Sequence, residues 1–137
     1  MQKLFFTYNI TSESDIISAR EEGRRIAREI GFPCEDQTRI TTAISEVAKN
    51  IVDFAESGEI AILIIDRDGN RGIEIKATDK GPGIDNMKLA MIDGYSTSNR
   101  RGLGLPGVRR LMDEFEVSSD PGMGTSVVMR MWRKSVA

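Results

Sequence analysis

Two glycine-bearing runs set the limits on how this chain folds. Asp79-Lys80-Gly81-Pro82-Gly83 puts a carboxylate and then two flexible glycines where a strand ends. Gly102-Leu103-Gly104-Leu105-Pro106-Gly107 opens directly into a helical pattern. A helix start offers free N–H groups and the positive end of the helix dipole, which makes it a ready phosphate site. With Glu46 and Asn50 upstream, the two runs spell a nucleotide pocket without any of the commoner nucleotide signatures.

The rest of the chain supplies elements around these runs. Leu4, Phe6, Tyr8 and Ile10 alternate with Phe5, Thr7 and Asn9, which suits an opening strand. Thr11 to Asp15 offers capping residues. Ile16, Ala19, Gly23, Ile26, Ala27 and Ile30 then recur at helical spacing until Gly31. A second helix is expected from about Glu35 to Ala55, with Ile40, Ala43, Ile44, Val47, Ala48, Ile51 and Phe54 as its apolar stripe. Ile60–Asp66 and Gly72–Thr78 read as strands joined by the turn residues Asp68-Gly69-Asn70. Asp85-Asn86 caps a short helix through Met91, and 93–101 is polar and irregular. Pro106 suits the first position of a helix that turns Val108, Leu111 and Met112 inward. Phe115–Ser119 and Thr125–Trp132 form a closing hairpin around Asp120-Pro121-Gly122-Met123-Gly124. The fold class expected is α+β, a two-layer sandwich with helices on one face of a mixed β-sheet. One domain over residues 1–137 is expected.

Composition narrows the chemistry. The chain has no histidine, which removes imidazole acid–base catalysis and the commonest zinc ligand. Its formal net charge is -2, so no nucleic-acid or membrane footprint shows. Cys34 is the single cysteine and has no local signature. No signal-peptide core or membrane-length apolar run occurs, so a cytoplasmic protein is expected. The methionines, Met87, Met91, Met112, Met123, Met129 and Met131 among them, read as core filler. Arg20–Arg28 mixes charge signs and reads as a solvated helix face.

Glu46 and Asn50 lie one turn apart, beside the apolar stripe of the second helix, where a cleft would open. Asparagine offers a carbonyl oxygen to Mg²⁺, and glutamate can accept a proton from an attacking hydroxyl or water. A solvated helix flank is the alternative. Asp79 shares a strand face with Ile73, Ile75 and Ala77. A carboxylate placed there needs a donor, and the exocyclic amine of adenine would supply one. Equally, Asp-x-Gly-Pro-Gly is good turn chemistry.

Gly102 to Gly107 matches G-x-G-x-x-G, but a loop, 96–101, precedes it where a dinucleotide fold needs a strand. Protein-kinase H-R-D and D-F-G signatures are absent, as is G-x-x-x-x-G-K-[ST]. A polar lid ending in a phosphate-facing helix remains, with Arg100 and Arg101 able to close on phosphates. A merely solvated loop is the alternative.

Taken together, these runs resemble the boxes of the GHKL ATPases, the group of gyrase, Hsp90, histidine kinases and MutL. Glu46-Val47-Ala48-Lys49-Asn50 resembles the N-box, Asp79-x-Gly81-x-Gly83 the first glycine box, and Gly102-x-Gly104 with Gly107 the second. Gly124-Thr125 resembles the last box. Within the group, 93–98 and 104–115 resemble the RsbT-type switch kinases of the stressosome more than the anti-sigma kinases of the RsbW and SpoIIAB type. In the lid, Asn99-Arg100-Arg101 stands where the switch kinases carry a glycine-rich stretch.

The resemblance implies an ATP-dependent protein serine/threonine kinase using Mg²⁺. It implies Glu46 as general base, Asn50 as metal ligand and Asp79 as adenine anchor. Gly81, Gly83, Arg101, Gly102, Leu103, Gly104 and Gly107 would line the nucleotide and its phosphate lid, and Thr125 would support the adenine end. Partners implied are STAS-domain proteins (RsbS/RsbR-like) as acceptors and a PP2C-type phosphatase (RsbU-like) as the protein activated, with no nucleic acid and no membrane. A sigma-factor-sequestering regulator and a nucleotide-dependent activator with incidental kinase activity are the competing readings.

Overall fold

The computed structural model describes residues 2–55, 57–81, 104–120 and 122–133. Strand β1, Gln2–Ile10, leads into α1, Glu13–Ile30, and α2, Cys34–Asn50. A single turn of π-helix, Ile51–Ala55, continues α2. The hairpin β2, Gly58–Arg67, and β3, Asn70–Asp79, follows; then come α3, Gly104–Leu111, and the hairpin β4, Glu114–Asp120, and β5, Gly124–Trp132.

Local chemistry explains most of these boundaries. The Asp15 carboxylate accepts the Thr11 and Ser12 N–H groups at 2.9 and 3.2 Å and the Thr11 hydroxyl at 2.9 Å. These bonds to the ionised form, led by the Thr11 N–H, hold its pKa below the usual carboxylate range, and they anchor the start of α1. Gly31, at φ +105°, ends α1 in the left-handed region that lets its N–H reach the Ala27 and Arg28 carbonyls. The β2–β3 turn rests on Asp68 and Gly69, both at positive φ, with Asn70 already in β3.

The sheet order is β1-β2-β3-β5-β4, and every pairing is antiparallel. The two-layer α+β sandwich is as expected, but among the described residues the sheet is not mixed. The reason is topological. The chain between β3 and β4 skips one position, so β3 and β4 run the same way without touching. The β4–β5 hairpin then lays β5, running oppositely, into the gap between them.

One face of the sheet carries Ile60 and Ile62 of β2, Ile73, Ile75 and Ala77 of β3, and Val127, Met129 and Met131 of β5. It packs under Ile16, Ala19, Ile26 and Ile30 of α1 and Ile40, Ala43, Ile44 and Val47 of α2. At Gly23 of α1 an added Cβ would lie 2.2 Å from Ile44 Cδ1, so the two helices approach as closely as glycine allows. The opposite face holds a smaller cluster, Ala61, Leu63 and Ile65 with Trp132. At the Trp132 end of the sheet, Glu114 accepts the Trp132 indole N–H (2.6 Å), Arg67 (2.8 Å) and Arg130 (3.1 Å). Arg130 also donates to Glu74 at 2.7 Å, and the Arg67 guanidinium sits 4.6 Å from the Trp132 ring centroid.

Three expectations need correction. The second helix was expected to stay α-helical to Ala55, with Phe54 on its buried stripe. Its last turn is π-helical instead, and Phe54 is 41% exposed. Hydrogen bonds to i+5 wind the chain less per residue, so Phe54 falls short of the buried face. Pro106 is the third residue of α3, not the first, because Gly104 at φ +68° already opens the helix. Met112, Met129 and Met131 are core, but Met123 sits in the β4–β5 turn and is 75% exposed. The helix expected at Asp85–Met91, with Met87 and Met91, lies outside the described residues.

Candidate functional site

The site is built where α2 ends and β3 ends. Alternation along β3 puts Asp79 on the face of Ile73, Ile75 and Ala77, and the strand stops there because two glycines follow. Asp79 Oδ1 accepts the Gly81 N–H at 2.9 Å and the Thr125 N–H at 3.3 Å. The first bond, from residue i+2, is an Asx turn, so the turn reading of Asp79 is realised. It engages one oxygen. Among the described residues no hydrogen bond falls on Oδ2, which is the acceptor available to an amino group. One carboxylate oxygen thus shapes the loop, and the other is left out of that turn.

Thr125 is brought to Asp79 by strand register, since the two are paired across β3 and β5. Its hydroxyl lies 3.2 Å from Ser119 Oγ, and Ser119 also donates to the Gly124 carbonyl at 3.0 Å. Gly124, at φ +106°, lets β5 start against β3: a Cβ there would stand 2.1 Å from the Asp79 carbonyl oxygen. Gly81 does the same toward α2, where a Cβ would meet Ala55 Cβ at 2.6 Å. The π-turn that follows Asn50 thus lies directly against the loop that follows Asp79.

Glu46 and Asn50 occupy adjacent turns of α2, as the spacing predicts. Glu46 is buried, at 4% exposure, deeper than the core edge expected of it. Lys49, half-exposed, places Nζ 3.4 Å from Glu46 Oε2. Burying a polar group without a partner is costly, and Lys49 is one partner here. Asn50 is half-buried. Helix α3 packs against α2, with Leu105, Pro106, Gly107 and Val108 buried and Arg109 and Arg110 exposed. Gly104 and Gly107 are thereby carried to the same helix layer as Glu46.

Of the residues singled out from sequence, Asp79, Gly81 and Thr125 meet directly. Glu46 and Asn50 share one helix, which reaches the Asp79 loop through the π-turn. Gly83, Arg101, Gly102 and Leu103 lie outside the described residues, as does the segment 93–101 read from sequence as a lid. Sequence reasoning missed Lys49, Ser119 and the π-turn. Lys49 was findable as an i,i+3 partner of Glu46, and Ser119 as the residue facing Thr125 once the closing hairpin is registered. No helix among the described residues is long and apolar enough to cross a membrane. No group of three or more acidic, cysteine or histidine residues that could hold a metal ion occurs among them either.

Comparison with known proteins gives the family. Residues 35–135 match the family model of histidine kinase-, DNA gyrase B-, and HSP90-like ATPases. The chain is 50% identical over 123 residues to the serine/threonine-protein kinase RsbT of Bacillus subtilis, covering 90% of this chain and 92% of that protein. It is 33% identical over 134 residues to the anti-sigma F factor of a Thermoanaerobacter species, covering 94% and 91%. A crystal structure of the RsbU and RsbW domains of a Mycobacterium tuberculosis protein matches with a TM-score of 0.62 at 21% identity, over 96% of this chain and 33% of that one. That likeness is one of fold. The chain belongs to the histidine kinase-, DNA gyrase B-, and HSP90-like ATPase family.

Proposed function

We propose that this chain is a cytoplasmic, ATP-dependent serine/threonine protein kinase that phosphorylates a STAS-domain protein and, once released from it, activates a PP2C-type phosphatase. The observation that carries the reading is the Asp79 carboxylate, held on one oxygen by two backbone N–H groups and set beside the helix of Glu46 and Asn50. The 50% identity to a serine/threonine-protein kinase supports the reaction class.

In this reading Asp79 accepts from the amino group of adenine, and Gly81 and Thr125 fix the carboxylate for that task. Gly83, Gly102, Leu103 and Arg101, with Gly104 and Gly107 at the start of α3, surround the phosphates. Asn50 offers its carbonyl oxygen to Mg²⁺, whose contribution is to neutralise charge across the phosphates. The serine or threonine oxygen of the acceptor forms a bond to the γ-phosphorus as the bond to the leaving ADP oxygen breaks. Glu46 takes the hydroxyl proton, and Lys49 beside it helps hold the carboxyl group in place. With Glu46 buried in α2, the acceptor loop must dock over α2 and the start of α3. The exposed Arg109 and Arg110 form one margin of that surface.

An anti-sigma function is the second reading, favoured by the 33% identity to an anti-sigma F factor over nearly the whole chain. Incubation with γ-labelled ATP and purified STAS proteins, beside size-exclusion runs with STAS protein, sigma factor and phosphatase, separates the two. Label transfer to a STAS protein and a complex with it that charge reversal at Arg109 weakens are expected. A tight sigma-factor complex with no STAS complex would replace the switch-kinase reading by the anti-sigma one.

A further inference from the structure

Gly58 belongs to none of the motif boxes, yet it touches both halves of the nucleotide site. It opens β2 and is paired across the sheet with Asp79. A Cβ at this position would stand 2.5 Å from the Thr78 carbonyl oxygen, 2.9 Å from Ile51 Cγ2 and 3.1 Å from Asp79 Cβ. The first of these atoms is backbone near the end of β3, where the strand is paired on both sides, with Glu59 and with Ser126, and has little room to yield. The second belongs to the residue directly after Asn50, at the start of the π-turn. The third is the root of the base-reading carboxylate itself.

The π-turn is thus pinned at both ends by missing side chains. Ile51 rests against Gly58, and Ala55 rests against Gly81. Gly58 is where the two contacts of greatest consequence meet, because the spacing of Asn50 from Asp79 is set through it. We infer that Gly58 is a positioning residue: its lack of a side chain fixes the separation of the metal-binding end of α2 from the adenine-reading carboxylate of β3. The inference rests on the nucleotide-site reading given above. A methyl group at 58 must displace Asp79, Ile51 or both, and either movement spoils the simultaneous fit of base and phosphates.

Gly72 provides the control. It lies at the other end of β3, equally crowded, with a Cβ there 2.7 Å from both the Met131 carbonyl oxygen and Trp132 Cε3. Gly58→Ala and Gly72→Ala therefore insert the same methyl into the same sheet, near to and far from the site. The experiment is calorimetric titration of ATP·Mg²⁺ and GTP·Mg²⁺ into the wild-type chain and both variants, with a thermal melt of each. Gly58→Ala is expected to weaken ATP binding about tenfold or more and to narrow the ATP-over-GTP preference. Gly72→Ala is expected to melt lower while keeping wild-type affinity and preference. Wild-type affinity and preference in Gly58→Ala, or an equal loss in Gly72→Ala, overturns the inference. If Gly58→Ala does not fold, Gly58→Ala/Ile51→Ala, which frees the space of Cγ2, is compared with Ile51→Ala alone, and equal ATP affinity in that pair overturns it. A wild-type chain that takes ATP and GTP alike overturns the site reading itself, and the inference falls with it.

Discussion

Asp79→Asn tests the adenine assignment at a single atom. The wild-type carboxylate has one oxygen committed to two backbone N–H groups, from Gly81 and Thr125, and the other available to the base. Asparagine has one oxygen and one amide nitrogen. The backbone donors demand an acceptor, so the oxygen stays with them and the NH₂ turns toward the base. There it meets the adenine amine donor to donor. The loss is one hydrogen bond to a charged acceptor, about 1.5–3 kcal/mol, or roughly 10–150-fold in affinity. Because the anchoring bonds to Gly81 and Thr125 survive, the melting temperature should change little. Guanine carries a carbonyl where adenine carries its amine, so the same NH₂ gains an acceptor, and GTP binding should improve while ATP binding falls. Isothermal titration with ATP, ADP and GTP on both chains measures this directly. ATP affinity within about threefold of wild type in a well-folded Asp79→Asn chain would refute the role given to Oδ2.

Glu46→Gln should retain Mg·ATP binding while phosphoryl transfer drops about 10²–10⁴-fold, measured by labelled transfer to a STAS protein; transfer at the wild-type rate would move the base to another residue. At the far end of the sheet, the Trp132 indole first, and then Arg67 and Arg130, hold the Glu114 carboxyl below the usual glutamate range, against the opposing effect of burial. A depressed folded-state pKa stabilises the fold above the unfolded value and is lost as pH falls through the folded one. Melts from pH 7 down to about pH 3 should therefore fall less steeply in Glu114→Gln than in wild type, with a cost at neutral pH of about 1 kcal/mol; parallel curves would remove Glu114 from the acid response. Gly23→Ala should destabilise by about 1–3 kcal/mol in urea, since its methyl lands on Ile44 Cδ1, and Ile44→Val, which deletes that atom, should recover part of the loss; no recovery would place the strain elsewhere.

The sequence exposed whatever was encoded locally. Helix α1 was readable because Asp15 and Gly31 mark its ends, and the β2–β3 hairpin because Asp68-Gly69 demands the turn it makes. The places of Asp79, Glu46 and Asn50 in the fold were readable because each sits at a defined phase of a periodic element. Legibility failed where tertiary contact overrode the local pattern. Nothing in Ile51-Val52-Asp53-Phe54-Ala55 signals a π-turn, with neither glycine nor proline among them, and Phe54 continues the apolar spacing faithfully. The close approaches at Gly58 and Gly81 that surround this turn join residues from three elements, and a one-dimensional pattern cannot show them. The sheet's uniform antiparallel character was hidden for the same reason: it depends on β5 entering a gap that β3 and β4 leave, and no residue spells that out.

The place of β5 has a consequence for how the protein is made. As the chain leaves the ribosome, β1, β2 and β3 can pair as soon as they are synthesised. Beyond Asp79, β3 must wait with an open edge until some forty-five more residues emerge, because its other neighbour is the last of the five strands. Asp79 receives its Thr125 donor only then. A chain stopped before Gly124 would therefore not be a weak enzyme. It would be a three-stranded sheet with an unpaired apolar edge at Ile73, Ile75 and Ala77, a template for aggregation. The Asp79–Thr125 contact and the completed sheet arrive together, so a nascent chain that holds this contact has already closed its most adhesive surface.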